Sequence, residues 1–402
     1  MTFSSQLSRL LTLRSAPFIY LGLASTILAL AACIGGERAI TSTHEAVSAI
    51  TPAATRTPIA AATSTPPPAS KAAPPATKSL TINLPDDEGA HLTPIEWWYF
   101  NGSLTDDTGA EYSFHYVTFQ SVLPNGLTPR LLQLSWADHS KGVYLTAERP
   151  ALPLLETTKG DFAFQVNDWS MAGDGTKYSM AFNTGEYFAT LQAVSKKPAT
   201  LHQGKGLVDL GIAGESYYYS RTRLTLSGSL TIGQEDRLVS GLAWMDHQWG
   251  DFSTAPVGWD WLSLQLDDGS DLMISLVWNP DGHQPIVSYG TYVPPTGQPR
   301  NVAGDDISLT ATGSWTSPVT GTTYPVGWKL SVPSLDLGLT LTPDLQASEF
   351  QGSKFVPQAY WEGAVTISGT RNGQRVSGKG FAELVGYDTR EFSFPNLGDT
   401  RK

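Results

Sequence analysis

The chain has 402 residues, of which 41% are hydrophobic, 10% aromatic and 16% charged, which is ample material for a core and enough length for two or three domains. Lys and Arg number 26 against 37 Asp and Glu, a formal charge of −11, and so acidic a chain is a poor nucleic-acid binder because phosphate contacts need dense Lys and Arg. A single cysteine excludes an internal disulfide and a Cys-based zinc site.

Residues 1–33 read as an export signal. Arg9 and Arg14 give the positive start, residues 18–30 are apolar, and Leu30-Ala31-Ala32-Cys33 resembles the bacterial lipobox, whose cysteine is lipidated and becomes the first residue. The expectation is an extracytoplasmic lipoprotein held at the membrane through Cys33. Starting at Cys33 the chain loses Arg9 and Arg14 and carries −13. Residues 34–80 are rich in Ala, Thr, Pro and Ser, with Pro66-Pro67-Pro68 and Pro74-Pro75. Such a segment cannot bury a core and is predicted to be a disordered tether.

From residue 81 onward the chain shows strand signals: period-2 alternation, β-branched and aromatic residues, and turn residues between them. Examples are 111–119, 187–194, 221–226 and 360–367, with turns at Asp174-Gly175, Asp268-Gly269 and Asn372-Gly373. No long stretch carries a helical period, so the fold class is all-β. A weak repeat is also present. Trp97 precedes Leu104, Asp106-Asp107 and a second strand, and Trp259 precedes Leu266, Asp267-Asp268 and a second strand, at an offset of 162 residues. Two tandem antiparallel β-barrel or half-barrel domains are expected, over 81–235 and 236–395, with a ligand site at their junction.

No G-x-S-x-G elbow, Walker A loop or G-x-G-x-x-G is present, and the seven histidines form no H-x-H or H-x-x-x-H pair, so neither a cofactor nor a metal site is expected. Aromatic residues interleaved with single acids are the notable pattern. They occur at Glu96-Trp97-Trp98-Tyr99, Tyr217-Tyr218-Tyr219, Trp244-Met245-Asp246-His247-Gln248-Trp249 and Tyr360-Trp361-Glu362. In a strand, alternate residues share a face, so Glu96 pairs with Trp98 and Trp244 with Asp246. A carboxyl group against an apolar wall loses hydration, its pKa rises, and it can protonate a carbon–carbon double bond, leaving a cation that aromatic faces stabilise. Asp is a poor strand former, which singles out Asp246. Glu96, Glu362 and Glu383 read equally as strand acids held by an Arg or a backbone amide. His247 points to the opposite face or lies in a turn.

These words occur together with Gly258-Trp259-Asp260-Trp261 and with residues 378–387, Gly378 to Tyr387. Over about residues 90–390 they resemble the AttH/carotenoid 1,2-hydratase (hydroxyneurosporene synthase) family. The resemblance implies two lipocalin-like β-domains and cofactor-free hydration of an acyclic carotenoid. It implies Asp246 as the acid that protonates the alkene and Trp244 as a pocket aromatic. The expected pocket comprises Glu96, Trp98, Tyr99, Tyr217, Tyr218, Tyr219, Trp244, His247, Trp249, Trp259, Trp361 and Glu362, with a carotenoid or lipid as its apolar ligand. A lipid or pigment carrier without chemistry would show the same pocket, and the residues alone leave both readings open.

Overall fold

The computed structural model describes residues 81–123, 127–153, 158–254, 257–353 and 355–390. The export signal, Cys33 and the tether lie outside them. Among the described residues there is no α-helix, only short 3-10 turns between strands.

The first sheet contains β1 (Ile95–Asp106), β2 (Glu111–Gln120), β3 (Arg130–Asp138), β4 (Val143–Ala151), β5 (Phe162–Val166), β6 (Trp169–Gly173), β7 (Lys177–Asn183), β8 (Tyr187–Ser195), β9 (Thr200–Leu201), β10 (Leu207–Asp209), β11 (Gly214–Ile232) and β12 (Glu235–Phe252). Its order is β4-β3-β2-β1-β12-β11-β8-β7-β6-β5, with β9 and β10 attached to β11, and its two end strands approach each other, so it is a nearly closed barrel. The second sheet contains β13 (Gly258–Leu266), β14 (Asp271–Asn279), β15 (Gln284–Val293), β16 (Arg300–Ala303), β17 (Ser308–Thr316), β18 (Thr323–Val332), β19 (Leu337–Pro343), β20 (Glu349–Phe350), β21 (Tyr360–Arg371) and β22 (Gln374–Val385). It runs β16-β15-β14-β13-β22-β21-β19-β18-β17, with β20 beside β21, and forms a half-barrel.

The expected division at 235/236 is corrected by this pairing. Residues 233 and 234 are the turn of the long β11–β12 hairpin, Glu235 already pairs with Ile232, and both strands belong to the first sheet. The sheets part between Phe252 and Gly258. A Gly-containing turn signal looks the same whether it ends a domain or reverses a strand inside one.

Burial along each strand follows from its place. β8 alternates buried and exposed, as a strand with one face on a core and one in water should. All nine residues of β3 are buried, β1, β2 and β13 are nearly so, and in β12 the run from Ala243 to Gly250 is. These strands have a core on each face: the barrel interior on one side and the opposing sheet on the other. Trp98, Trp136 and Trp169 fill the barrel, and Trp328 and Trp361 fill the half-barrel. A separate cluster, including Tyr99, Val117, Tyr218, Trp244, Trp261 and Phe381, lies between the sheets.

The repeat is real. In each sheet the repeat strand lies between its hairpin partner and the strand that carries the acids, β2-β1-β12 in one and β14-β13-β22 in the other. Gly109 and Gly269, in the two matching hairpin turns, have φ of 87° and 82°, which a Cβ would strain.

Candidate active site

Between the sheets lies a cavity of about 490 Å³. Trp97, Phe119, Trp259, Trp261 and Tyr289 provide apolar walls, and Asp246, Tyr99, Tyr218, Gln248 and Glu383 provide polar groups. Strand alternation explains the selection. On β1, Trp97 and Tyr99 face the cavity; on β12, Asp246 and Gln248 do; on β11, Tyr218 does.

Asp246 is only 4% exposed. Its carboxylate accepts hydrogen bonds from Tyr218 Oη at 2.5 Å, from Trp244 Nε1 at 2.6 Å and from Ser220 Oγ. The donors are themselves fixed. Trp261 Nε1 donates to Tyr218 Oη at 3.0 Å, and His202 Nε2 lies 2.6 Å from Ser220 Oγ. Burial pushes the Asp246 carboxyl up to about 6, although all three donors favour its charged form. A carboxyl group in that range can hold or release a proton near neutral pH.

Two further acids sit on the opposing sheet. Glu383 lines the cavity; burial pushes it up to about 7, opposed by a hydrogen bond from Trp259 and reinforced by the charge of Asp246. Glu362 is fully buried beside it across the β21–β22 pair, takes a 2.7 Å hydrogen bond from Tyr99 Oη and leaves Oε2 without a partner. Burial, then the Glu383 charge, raise Glu362 well above the carboxylate range despite the Tyr99 bond. Burial therefore favours its protonated form.

Of the residues expected to form the pocket, Tyr99, Tyr218, Asp246 and Trp259 line the cavity. Trp244 lies beneath Asp246, and Glu362 lies behind Tyr99. Trp361 belongs to the half-barrel core, where its Nε1 donates to the Gln346 carbonyl. Glu96, Trp98, Tyr217, Tyr219, His247 and Trp249 are on the wrong face for this cavity. The same alternation that brings Asp246 to the cavity turns His247 and Trp249 into the barrel. Trp97, Trp261 and Tyr289 were missed. The repeat contained a usable signal, because Trp97 and Trp259 match, and so do Tyr99 and Trp261.

The barrel-side residues form their own network. Glu96 Oε1 lies 2.7 Å from His91 Nδ1 and 2.8 Å from His247 Nε2, while His247 Nδ1 is 3.1 Å from Tyr219 Oη. His91 stacks on Trp249 with centroids 4.2 Å apart, and Tyr217 stacks on the same indole. Burial would raise Glu96, but hydrogen bonds from His247 and His91 outweigh it and hold it below its ordinary value. Among the described residues, His91, Glu96 and His247 are the group whose geometry could suit a metal, their ligand atoms lying within 4.8 Å of one another. The N···O separations are hydrogen-bond lengths, shorter than the roughly 3.3 Å between ligands set about 2.0–2.1 Å from a tetrahedral ion. The arrangement is that of a carboxylate clasped by two imidazoles.

A family model described as AttH-like matches residues 75–387. A solved AttH structure from Nitrosomonas europaea is 28% identical, with a TM-score of 0.70, over 78% of this chain and 100% of that one. Kievitone hydratase of Fusarium solani subsp. phaseoli is 21% identical over 306 residues, 72% of this chain and 81% of that protein. Dehydratase asqC of Emericella nidulans is 27% identical over 201 residues, 46% of this chain and 54% of that protein.

Proposed function

The chain belongs to the AttH-like family, and from that membership we propose that the cavity between its sheets is a hydratase–dehydratase site in which Asp246 exchanges a proton with a carbon atom of the substrate. The observation that carries the reading is the placement of Asp246. It is a buried carboxyl group on an aromatic wall, held by three donors and balanced near neutral pH. Two relatives named for adding or removing water support the same reaction class.

Protonating an alkene needs a donor stronger than water, aligned where solvent cannot compete. The cation then formed is stabilised by the Trp259, Trp261 and Tyr218 ring faces and by the Asp246 carboxylate left behind. Water attack completes hydration, and the reverse sequence is dehydration. The substrate proposed is an apolar small molecule with a terminal double bond or the matching alcohol, with acyclic carotenoids as the leading class. At about 490 Å³ the cavity falls within the roughly 300–1,000 Å³ of small-molecule sites and would take one end of a long polyene. The proposed setting is extracytoplasmic, with a lipid anchor at Cys33 and residues 34–80 as tether.

The test is to offer the purified protein lycopene or neurosporene and to look for the hydroxylated product. Product formation supports the reading. Tight binding without product favours a carrier of lipid or pigment, the reading that needs only the cavity.

A further inference from the structure

The repeat relates more than β1 and β13. Asp246 lies across from Tyr99 in the β1–β12 pair, and Glu383 lies across from Trp261 in the β13–β22 pair. Tyr99 and Trp261 are equivalent positions, 162 residues apart, and they meet edge to face with centroids 5.4 Å apart. One strand further out, Ser220 stands beside Asp246 and Glu362 beside Glu383. Asp246 and Glu383 are therefore pseudo-twofold mates. Residues near such an axis come close to their own equivalents, and these two face one cavity from opposite walls.

We propose that Glu383 is a second catalytic residue of this site, exchanging a proton with the oxygen of water or of the leaving hydroxyl while Asp246 exchanges one with carbon. The inference rests on the hydratase–dehydratase reading. Two carboxyl groups facing one apolar cavity disfavour each other's ionisation, as the charge of Asp246 does for Glu383, which favours a state with one proton on the pair. Their surroundings decide where it rests. Asp246 accepts from three donors, which stabilise a carboxylate. Glu383 accepts from Trp259 alone and lies beside Glu362, a second buried carboxyl group that disfavours its charge. The three donors on Asp246 against one on Glu383 place the resting proton on Glu383, and burial raises both acids toward neutral pH, to about 6 and about 7.

That state is set for loss of water. Glu383 gives its proton to the hydroxyl, the C–O bond breaks, and water leaves with the bonding pair. The Asp246 carboxylate takes a proton from the adjacent carbon, and the C–H electrons become the double bond. The proton has moved from Glu383 to Asp246. Hydration is the reverse: Asp246 protonates carbon, water adds to the cation, and Glu383 takes the proton that water loses.

The test needs no identified substrate. N,N-dimethyldodecylamine, protonated, imitates the cation, and 1-dodecanol is its uncharged control; binding of each is measured calorimetrically. Wild type should prefer the amine. Asp246→Asn and Glu383→Gln should each weaken amine binding by about tenfold or more and weaken the alcohol clearly less. Amine affinity in wild type should climb between pH 6 and 8, and Glu383→Gln should lose the part of that rise near pH 7. Glu383 is coupled to Asp246 on β12, to Glu362 and Tyr360 on β21 and to Tyr99 on β1, so Trp259→Phe supplies a second variant that alters none of these. Removing the indole donor should shift the midpoint of the rise upward. Weakening by Asp246→Asn alone, or an unmoved midpoint in Trp259→Phe, would overturn the role of Glu383 and leave the parent reading standing. A wild type that binds amine no better than alcohol would overturn the parent reading and this inference with it.

Discussion

Asn101 Nδ2 donates to Ser263 Oγ at 3.1 Å, and the two residues are one position of the repeat, 162 residues apart. A residue that bonds its own equivalent marks the pseudo-twofold axis, which runs between β1 and β13. The same amide reaches Tyr99 Oη at 3.3 Å, and Tyr99 in turn holds Glu362. Asn101→Ala removes both bonds inside a buried junction and should cost about 1–3 kcal/mol in urea unfolding. A loss well below about 1 kcal/mol would mean that the two sheets are held elsewhere.

Asp271 opens β14 in the half-barrel and is fully buried. It takes Arg223 Nη2 at 2.6 Å and Lys197 Nζ at 2.7 Å from the first sheet's side, and Thr222 Oγ1 at 2.8 Å. Asp271→Ala leaves two cations in the junction with backbone carbonyls but no counter-charge, and should destabilise by about 3–5 kcal/mol, read as a fall in denaturant midpoint. Lys197→Met leaves Arg223 paired and should cost clearly less. Equal losses would contradict the sharing of one carboxylate by both cations.

His91 supplies a pH dependence. Burial opposes its charge, but hydrogen bonds from the ring to Asp87 and Glu96 prevail and raise it to about 9. A raised cationic group adds stability that is complete below its unfolded value of 6.5 and is lost as pH rises through the folded value. Stability from this source should therefore fall between pH 6.5 and about 9, by roughly 3 kcal/mol at most. His91→Gln should flatten that decline in thermal melts taken across the window. An undiminished decline in the variant would assign it to another group.

Lipidation at Cys33 is checked by following labelled palmitate into cells making wild type or Cys33→Ser. Label in the wild type and none in the variant is expected from Leu30-Ala31-Ala32-Cys33. Equal label in both would remove the anchor.

The sequence showed the class of fold, the repeat and Asp246, and it stopped at the choice of face. Alternation states that Trp97 and Tyr99 share one side of β1 and that Glu96 and Trp98 share the other. Both sides are buried, so no polar stripe marks which one meets the second sheet. Only the match of Trp97 to Trp259 and of Tyr99 to Trp261 separates them. Tyr217, Tyr218 and Tyr219 posed the same problem on β11, where the middle ring alone reaches the cavity. The His91–Glu96–His247 clasp spans 151 residues between Glu96 and His247, and local spacing does not reveal such a contact. The boundary expected at 235/236 failed because the β11–β12 hairpin is long enough to run from the barrel's outer wall into the junction.

The most direct test of the account compares wild type with Asp246→Asn on an acyclic carotenoid in deuterium oxide. Protonation of carbon by Asp246 requires the wild-type product to carry a hydroxyl group and one non-exchangeable deuterium on the neighbouring carbon. The variant keeps the shape of the site and loses its titrating proton, so it should give no product. It should also be at least as stable as wild type at pH 8, because a carboxyl group raised to about 6 is ionised there at a cost in the folded state. Deuterated product from Asp246→Asn at the wild-type rate would contradict the central claim.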